Sequence, residues 1–252
     1  MQEVIRMKPE ELASLACLYQ GNWNRIHTHL ITQRKIEIIP VEEPYITCLD
    51  ALYPACLKEL ECPPYVLFCR GNPSLLKKRM ITIVGSRELT LEGACITEEI
   101  TAVLAEKYVI ISGMARGADG ISHRTALAHG GHTIGVCGHG LDTVYPKENR
   151  DLYQQMEKTD LILSEYPVHT PIARCHFPWR NRILAALGEA LIVTQAKVKS
   201  GTMHTVAEAL KLGRDIYCVP YPYGSKEGSG CNLLIQEGAD MLYDTERVKD
   251  LL

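Results

Sequence analysis

From Met80 onward, short apolar runs alternate with stretches of helical character, and this alternation limits the possible fold more than any other feature of the chain. The apolar runs are ITIVGS, VIISGM, TIGVCG, LILSEY, ALIVTQ, DIYCVP and finally MLY. Most are separated by helix-like segments: LEGACITEEITAVLAEK, GISHRTALAHG, KENRDLYQQMEK, RNRILAAL, GTMHTVAEALKLG and GCNLLIQEGA. The apolar runs are continuous rather than alternating, as in a parallel sheet covered on both faces. Strand–helix alternation with right-handed crossovers gives an α/β fold with a doubly wound, mostly parallel sheet. Gly85, Gly113, Gly117, Gly138, Gly140 and Gly201 fall at or just beyond the carboxyl ends of these strands. Ligands of open α/β sheets bind along that edge. Each glycine alone reads as a tight turn; their shared edge is the signal.

Residues 1–60 read differently. PEELASLACLYQ and NWNRIHTHLI are short helical stretches with no strand between them. A small N-terminal helical unit, 1–60, is therefore predicted ahead of a sheet domain, 61–252. Residues 53–71 are proline-rich and read as a connector, with room for a short strand at YVLFCR. No run reaches the roughly 20 apolar residues of a membrane span, and the polar start MQEVIRMKPEELA lacks the layout of a secretory signal. A cytoplasmic protein with no membrane contact is expected. The ten cysteines show no C-x-x-C pair, so they read as reduced, mostly buried thiols rather than a zinc site. His129, His132 and His139 likewise read as satisfied or solvated side chains, with no metal between them.

The net charge of −3 argues against a polyanionic partner until its distribution is considered. Residues 174–214 hold seven cations and two anions, so a local basic zone sits on an otherwise acidic chain. Such a zone binds a polyanion or serves as an ordinary solvated face. Within it, FPWRNRILAAL places Arg180, Asn181 and Arg182 where a helix is expected to begin. Cations oppose the helix dipole there by roughly 0.3–1 kcal/mol each unless an anion is bound. Asn181 is suited to cap that helix, and Phe177 either stacks on an unpaired base or packs in the core. Lys197, Lys199, Ser200 and Gly201 precede a second helix and form a candidate phosphate nest. After the first strand, Gly85-Ser86-Arg87 carries one glycine, so neither G-x-G-x-x-G nor a P-loop is present. Arg87 either holds a phosphate or pairs with Glu88 or Glu92. Ser112, Asp119 and His123 lack a nucleophile elbow, and Asp119 is expected to cap the helix containing His123.

The ordered motifs "GNPSLLKKRMITIVGSR", "SGMARGADGISHRTAL", "GHGLDTVYPKEN", "LILSEYP", "FPWRNRILAAL", "KSGTMHTVAEAL", "GRDIYCVP" and "GSGCNLLIQEGA" resemble the bacterial DNA-processing protein A family, DprA or Smf. The resemblance covers roughly residues 53–243. It implies an extended Rossmann-like domain, a homodimer, binding and protection of incoming single-stranded DNA, and loading of RecA recombinase during natural transformation. It implies no cofactor and no catalysis. It places phosphate contacts on Gly85, Ser86 and Arg87, with Arg174 as a basic position, Phe177 as the aromatic and Lys199, Ser200 and Gly201 as a further phosphate site. Arg180 and Asn181 would bind or shape the pocket, and Arg116 would extend the groove. Leu234, Ile235, Gln236 and Met241 match the region used for self-association and RecA contact, where an exposed last strand would offer unpaired backbone groups. Trp179, Met203 and His204 depart from the family pattern. The winged-helix domain that ends many relatives is expected to be absent.

The alternatives are a nucleotide sensor or a phosphoribohydrolase-like enzyme of the same fold. Such an enzyme carries Pro-Gly-Gly-x-Gly-Thr with a glutamate two or three residues beyond. Here Lys199-Ser200-Gly201-Thr202 is followed by a first glutamate at Glu208, which turns that carboxylate away from the helix terminus.

Overall fold

The computed structural model describes residues 7–251; the first six residues of the expected N-terminal unit, and Leu252, lie outside the described residues. Among the described residues nine strands form one sheet: β1 Tyr45–Thr47, β2 Val66–Gly71, β3 Met80–Val84, β4 Val109–Gly113, β5 Thr133–Cys137, β6 Leu161–Ser164, β7 Ala190–Val193, β8 Asp215–Cys218 and β9 Asp240–Met241. Their spatial order is β1-β2-β6-β5-β4-β3-β7-β8-β9. From β3 to β6 and from β3 to β9 all pairs are parallel, while β1 and β2 join antiparallel beside β6. The fold is thus a Rossmann-like, mostly parallel α/β sheet. Every residue of β3, β4 and β5 is buried, which is why their sequences show no polar alternation. In β4, Val109 and Ile111 join one core and Ile110 the other, as the two-residue strand period requires.

The helices are α1 Pro9–Leu18, α2 Trp23–Ile31, α3 Leu91–Leu104, α4 Ala118–Ala128, α5 Arg150–Thr159, α6 His176–Leu187, α7 Thr202–Lys211, α8 Ser229–Gln236 and α9 Thr245–Lys249. The Thr90 hydroxyl accepts the Gly93 N–H at 3.0 Å and starts α3, a cap worth about 1 kcal/mol. Gln195, just past β7, brackets Thr90: its amide donates to the Thr90 hydroxyl at 2.9 Å and its carbonyl accepts the Thr90 N–H at 3.0 Å. The start of α3 is thereby fastened to the end of β7.

Two expectations need correction. The segment before residue 61 is not purely helical: β1 extends the sheet through register pairs such as Ile46↔Leu67. Three residues are too few for a two-residue period to show. This segment also shares its core with the sheet, because Leu12, Leu15 and Ile26 lie in one buried cluster with Leu161 and Leu163. Second, α6 begins at His176, four residues before Arg180.

Candidate functional site

The strand order reverses at β3. Strands β4, β5 and β6 run outward on one side, and β7, β8 and β9 on the other. A crevice opens outside the carboxyl ends of strands at such a switch point. Gly85 follows β3 there and has room for no side chain, since a Cβ would stand 2.7 Å from both the Ala118 Cβ and the Thr194 hydroxyl. Its carbonyl accepts the Thr202 hydroxyl at 2.9 Å, and the Ser86 carbonyl accepts the Ala118 N–H at 3.1 Å. The loop after β3 is thus pinned between the starts of α7 and α4. Gly117, at φ +67°, passes beneath Ser86, where any Cβ would collide with the Ser86 carbonyl. The Ser86 hydroxyl turns into its own loop, donating to the Glu88 carbonyl and accepting its N–H.

The crevice has a volume of about 560 Å³. Gly85, Ser86 and Arg87 line it from the loop after β3; Arg174, Phe177, Arg180 and Asn181 from α6 and the loop before it; Ser200 and Gly201 from the start of α7. Arg87 and Arg174 are exposed. Among the described residues Arg87 makes no ion pair with Glu88 or Glu92; its guanidinium lies 5.8 Å from the Phe177 ring centroid. The cations therefore come from separate elements and converge on one face. The anions Glu88 and Asp119 also line the crevice.

The structure divides the two arginines of FPWRNR between two tasks. Both are buried, in the second turn of α6 rather than at its start. The Arg180 guanidinium donates to the Val136 carbonyl and, through Nε, to the Asn181 Oδ1 at 3.2 Å. Asn181 therefore serves Arg180 and does not cap the helix, whose first residue follows Cys175. Gly113 makes room for this arrangement: a Cβ there would lie 2.6 Å from both the Arg180 guanidinium and the Asp119 carboxylate. Burial pushes the Asp119 carboxyl up and the Arg180 guanidinium down, and their mutual attraction opposes both shifts. Asp119 accepts the Ala115 N–H at 3.2 Å. It lies one residue inside α4, which Gly117 precedes, so it is not the cap. Arg182 points elsewhere: to Glu165 at 2.7 Å, the Cys62 carbonyl at 2.9 Å and the Trp179 carbonyl at 2.9 Å. The Trp179 indole donates to the same Glu165 and lies under the Arg182 guanidinium, 4.2 Å from ring centroid to Cζ.

A smaller chamber of about 220 Å³ adjoins the crevice and shares Arg87, Phe177 and Arg180 with it. Arg116 lines this chamber, exposed and paired with Glu148 at 2.5 Å. Tyr145, which sequence reasoning did not single out, borders both spaces; its ring lies 5.7 Å from that of Phe177, tilted by 37°. Its signals were a Tyr-Pro pair in a loop, without periodicity, and its place in the motif GHGLDTVYPKEN. Lys199 is exposed at the turn before α7 and does not line the crevice, whereas Lys197, two residues earlier, does. Lys197 stands 3.5 Å from Glu227.

The other groups considered for chemistry are engaged with the fold. The Ser112 hydroxyl donates to the Ile83 carbonyl. His123 is buried between the Thr133 hydroxyl and the Gly113 carbonyl, and burial pushes its pKa down to about 4. Glu208 pairs with Lys211 at 2.7 Å and does not line the crevice. Among the described residues no group of three His, Cys, Asp or Glu side chains is placed to hold a metal ion, and no helix is long and apolar enough to cross a membrane. At the far edge of the sheet, β9 pairs with β8 alone. Met241 is exposed there, as is Gln236, and Ile235 is half-buried. Leu234 departs from its expected contact role: it is 4% exposed, inside the second core.

Residues 44–252 match the family described as DNA recombination-mediator protein A. The DNA processing protein DprA of Streptococcus pneumoniae is 42% identical over 200 residues, 79% of this chain and 71% of that protein. The X-ray structure of DprA from the same species superposes with a TM-score of 0.80 at 37% identity, covering 89% of this chain and 79% of that one. DNA processing protein A from Helicobacter pylori, whose structure gave insight into a unique single-stranded DNA binding mode, superposes with a TM-score of 0.76 at 30% identity, covering 83% of this chain and 96% of that one.

Proposed function

The chain belongs to the DNA recombination-mediator protein A family, and from that premise we propose that it binds single-stranded DNA in the crevice beside β3 and passes the strand to RecA, without catalysis. The observation that carries this reading is the convergence of Arg87, Arg174, Arg180 and Lys197 from separate elements onto one face at the switch point. Exposed Arg87 and Arg174 neutralise phosphates; buried Arg180 supplies fixed positive charge behind them. The start of α7 at Ser200 and Gly201 presents free N–H groups to another phosphate. Phe177, with Tyr145 beside it, gives a base a ring to stack on, worth about 1–3 kcal/mol per base. Lys199 and Arg116 take positions along the approach to the groove.

Self-association and the RecA contact are assigned to the open edge of β9, through Met241, Gln236 and Ile235, with Leu234 supporting them from within the core. The protein acts in the cytoplasm on incoming strands. The test is fluorescence anisotropy of a labelled oligo-dT, competed with unlabelled oligo-dT and with thymidine monophosphate. The long strand should compete at a concentration at least about a hundredfold lower, because it neutralises several cations at once. Equal competition by the mononucleotide would contradict the reading and favour a nucleotide sensor.

A further inference from the structure

The carboxyl edge of the sheet continues past the crevice. Strand β8 lies beside β7 and ends at Cys218, and residues 219–228 lead from it to the start of α8 at Ser229. In this loop Tyr223 is fully exposed, more so than any other large apolar side chain among the described residues. It makes no hydrogen bond or ring contact among them. The loop that carries it is nevertheless tightly held. The Ser225 N–H donates to the Pro222 carbonyl at 3.0 Å, the Gly228 N–H to the Ser225 hydroxyl at 3.2 Å, and the Ser229 hydroxyl to the Lys226 carbonyl at 2.8 Å. At its base the Asn232 side chain brackets Tyr221, accepting its N–H at 2.9 Å and donating to its carbonyl at 3.0 Å. Gly228 leaves space for the Tyr221 ring, which any Cβ there would strike. A ring held in water on a fixed loop gives up the burial an aromatic side chain usually gains, and is already ordered for a partner that covers it.

The same loop abuts the crevice wall. The Gly230 N–H donates to the Ala196 carbonyl at 2.7 Å, and Glu227 stands 3.5 Å from Lys197, which lines the crevice. Strand β8 is two places from β3 in the sheet, about 10 Å away. Lys226 in the loop and Lys199 in the turn before α7 are exposed, and neither pairs with an anion among the described residues. Free cations beside an open ring repeat the combination that Arg87 and Phe177 form in the crevice. We propose that the loop after β8 is a second seat for the single strand, in which one unpaired base stacks on Tyr223 while Lys226 and Lys199 neutralise the phosphates leading to it from the crevice. The inference rests on the single-strand reading and extends the path of the strand along the carboxyl edge. A nucleobase fits this ring better than a protein surface does: Gly224, Ser225 and Lys226 beside it are small or polar and form no apolar patch, whereas stacking needs only one open face and accepts any base.

The experiment compares the protein, Tyr223→Ala, Tyr223→Phe and Lys226→Ala for affinity toward a dT tetranucleotide and toward an oligo-dT of about 20 nucleotides, which outreaches the crevice. Tyr223→Ala should weaken the long oligomer about tenfold, as expected for the loss of one stacked base, and leave the tetranucleotide unchanged. Tyr223→Phe keeps the ring and should keep the affinity. Lys226→Ala should flatten the log–log salt slope of the long oligomer by about 0.7. Equal affinity of the protein and Tyr223→Ala for the long oligomer, or an equal loss for both oligomers, would overturn the inference while leaving binding in the crevice, and with it the single-strand reading, in place. Failure of the unaltered protein to bind either oligomer would overturn both.

Discussion

Arg180 and Arg182 are two positions apart on one helix, yet they act on opposite sides of it. Arg180 brings charge to the crevice; Arg182 ties α6 to Glu165 and the carbonyl of Cys62, with the ring of Trp179 from the same helix against its guanidinium. The Arg182–Glu165 pair is nearly dry, its side chains 6% and 5% exposed. Removing one member of a buried pair leaves the other charge unpaired, so Glu165→Ala should lower stability by about 3–5 kcal/mol, read from urea unfolding. A loss below about 1 kcal/mol would mean that water reaches the pair. Both arginines were visible in the sequence as misplaced cations, but their division of labour was not, because it depends on where α6 starts. The same holds for the lysines. The sequence pattern offered Lys197 and Lys199 together and the family resemblance favoured Lys199, while the turn at residues 198–199 carries that side chain outward and leaves Lys197 on the crevice wall.

At the scale of elements, the strand–helix alternation was legible because each central strand is buried on both faces and written in continuous apolar residues. Short edge elements were less so: β1 went unread, and β9 was read as MLY, one residue late. Strand β1 has three residues and β9 two, and both are held by partners distant in sequence rather than by local preference. The beginning of α6 was obscured because its first turn, HFPW, carries neither a capping side chain nor an acidic residue. At β9 the consequence is functional. Its outer backbone groups face no strand among the described residues, and Met241 is 41% exposed beside Tyr243 at 64%. A charge at an open edge blocks strand pairing between copies. If copies pair through this edge as proposed, Met241→Lys should shift sedimentation toward the monomer while leaving the melting temperature within about 2 °C, as befits a change at an exposed surface position. An unchanged dimer would remove β9 as the self-association edge.

On the scale of the whole molecule, an acidic chain carries one basic crevice because a doubly wound sheet brings loops distant in sequence to a single switch point. Arg87 and Lys197 are 110 residues apart in the chain and line the same wall because β3 and β7 are neighbours, with Thr82 beside Leu191. Glycines at the strand ends announced that edge in the sequence; the aromatic pair of Phe177 with Tyr145 needed the fold, since the start of α6 and the loop before α5 meet only in space. The central claim is that exposed arginines of this crevice neutralise the phosphates of a single strand. Its most direct measurement is the log–log salt dependence of oligo-dT affinity for the protein, Arg87→Ala, Arg174→Ala and Lys107→Ala, the last an exposed lysine at the opposite, amino-terminal edge of the sheet. Each arginine variant should flatten the slope by about 0.7 while Lys107→Ala leaves it unchanged; four equal slopes would contradict phosphate capture in this crevice.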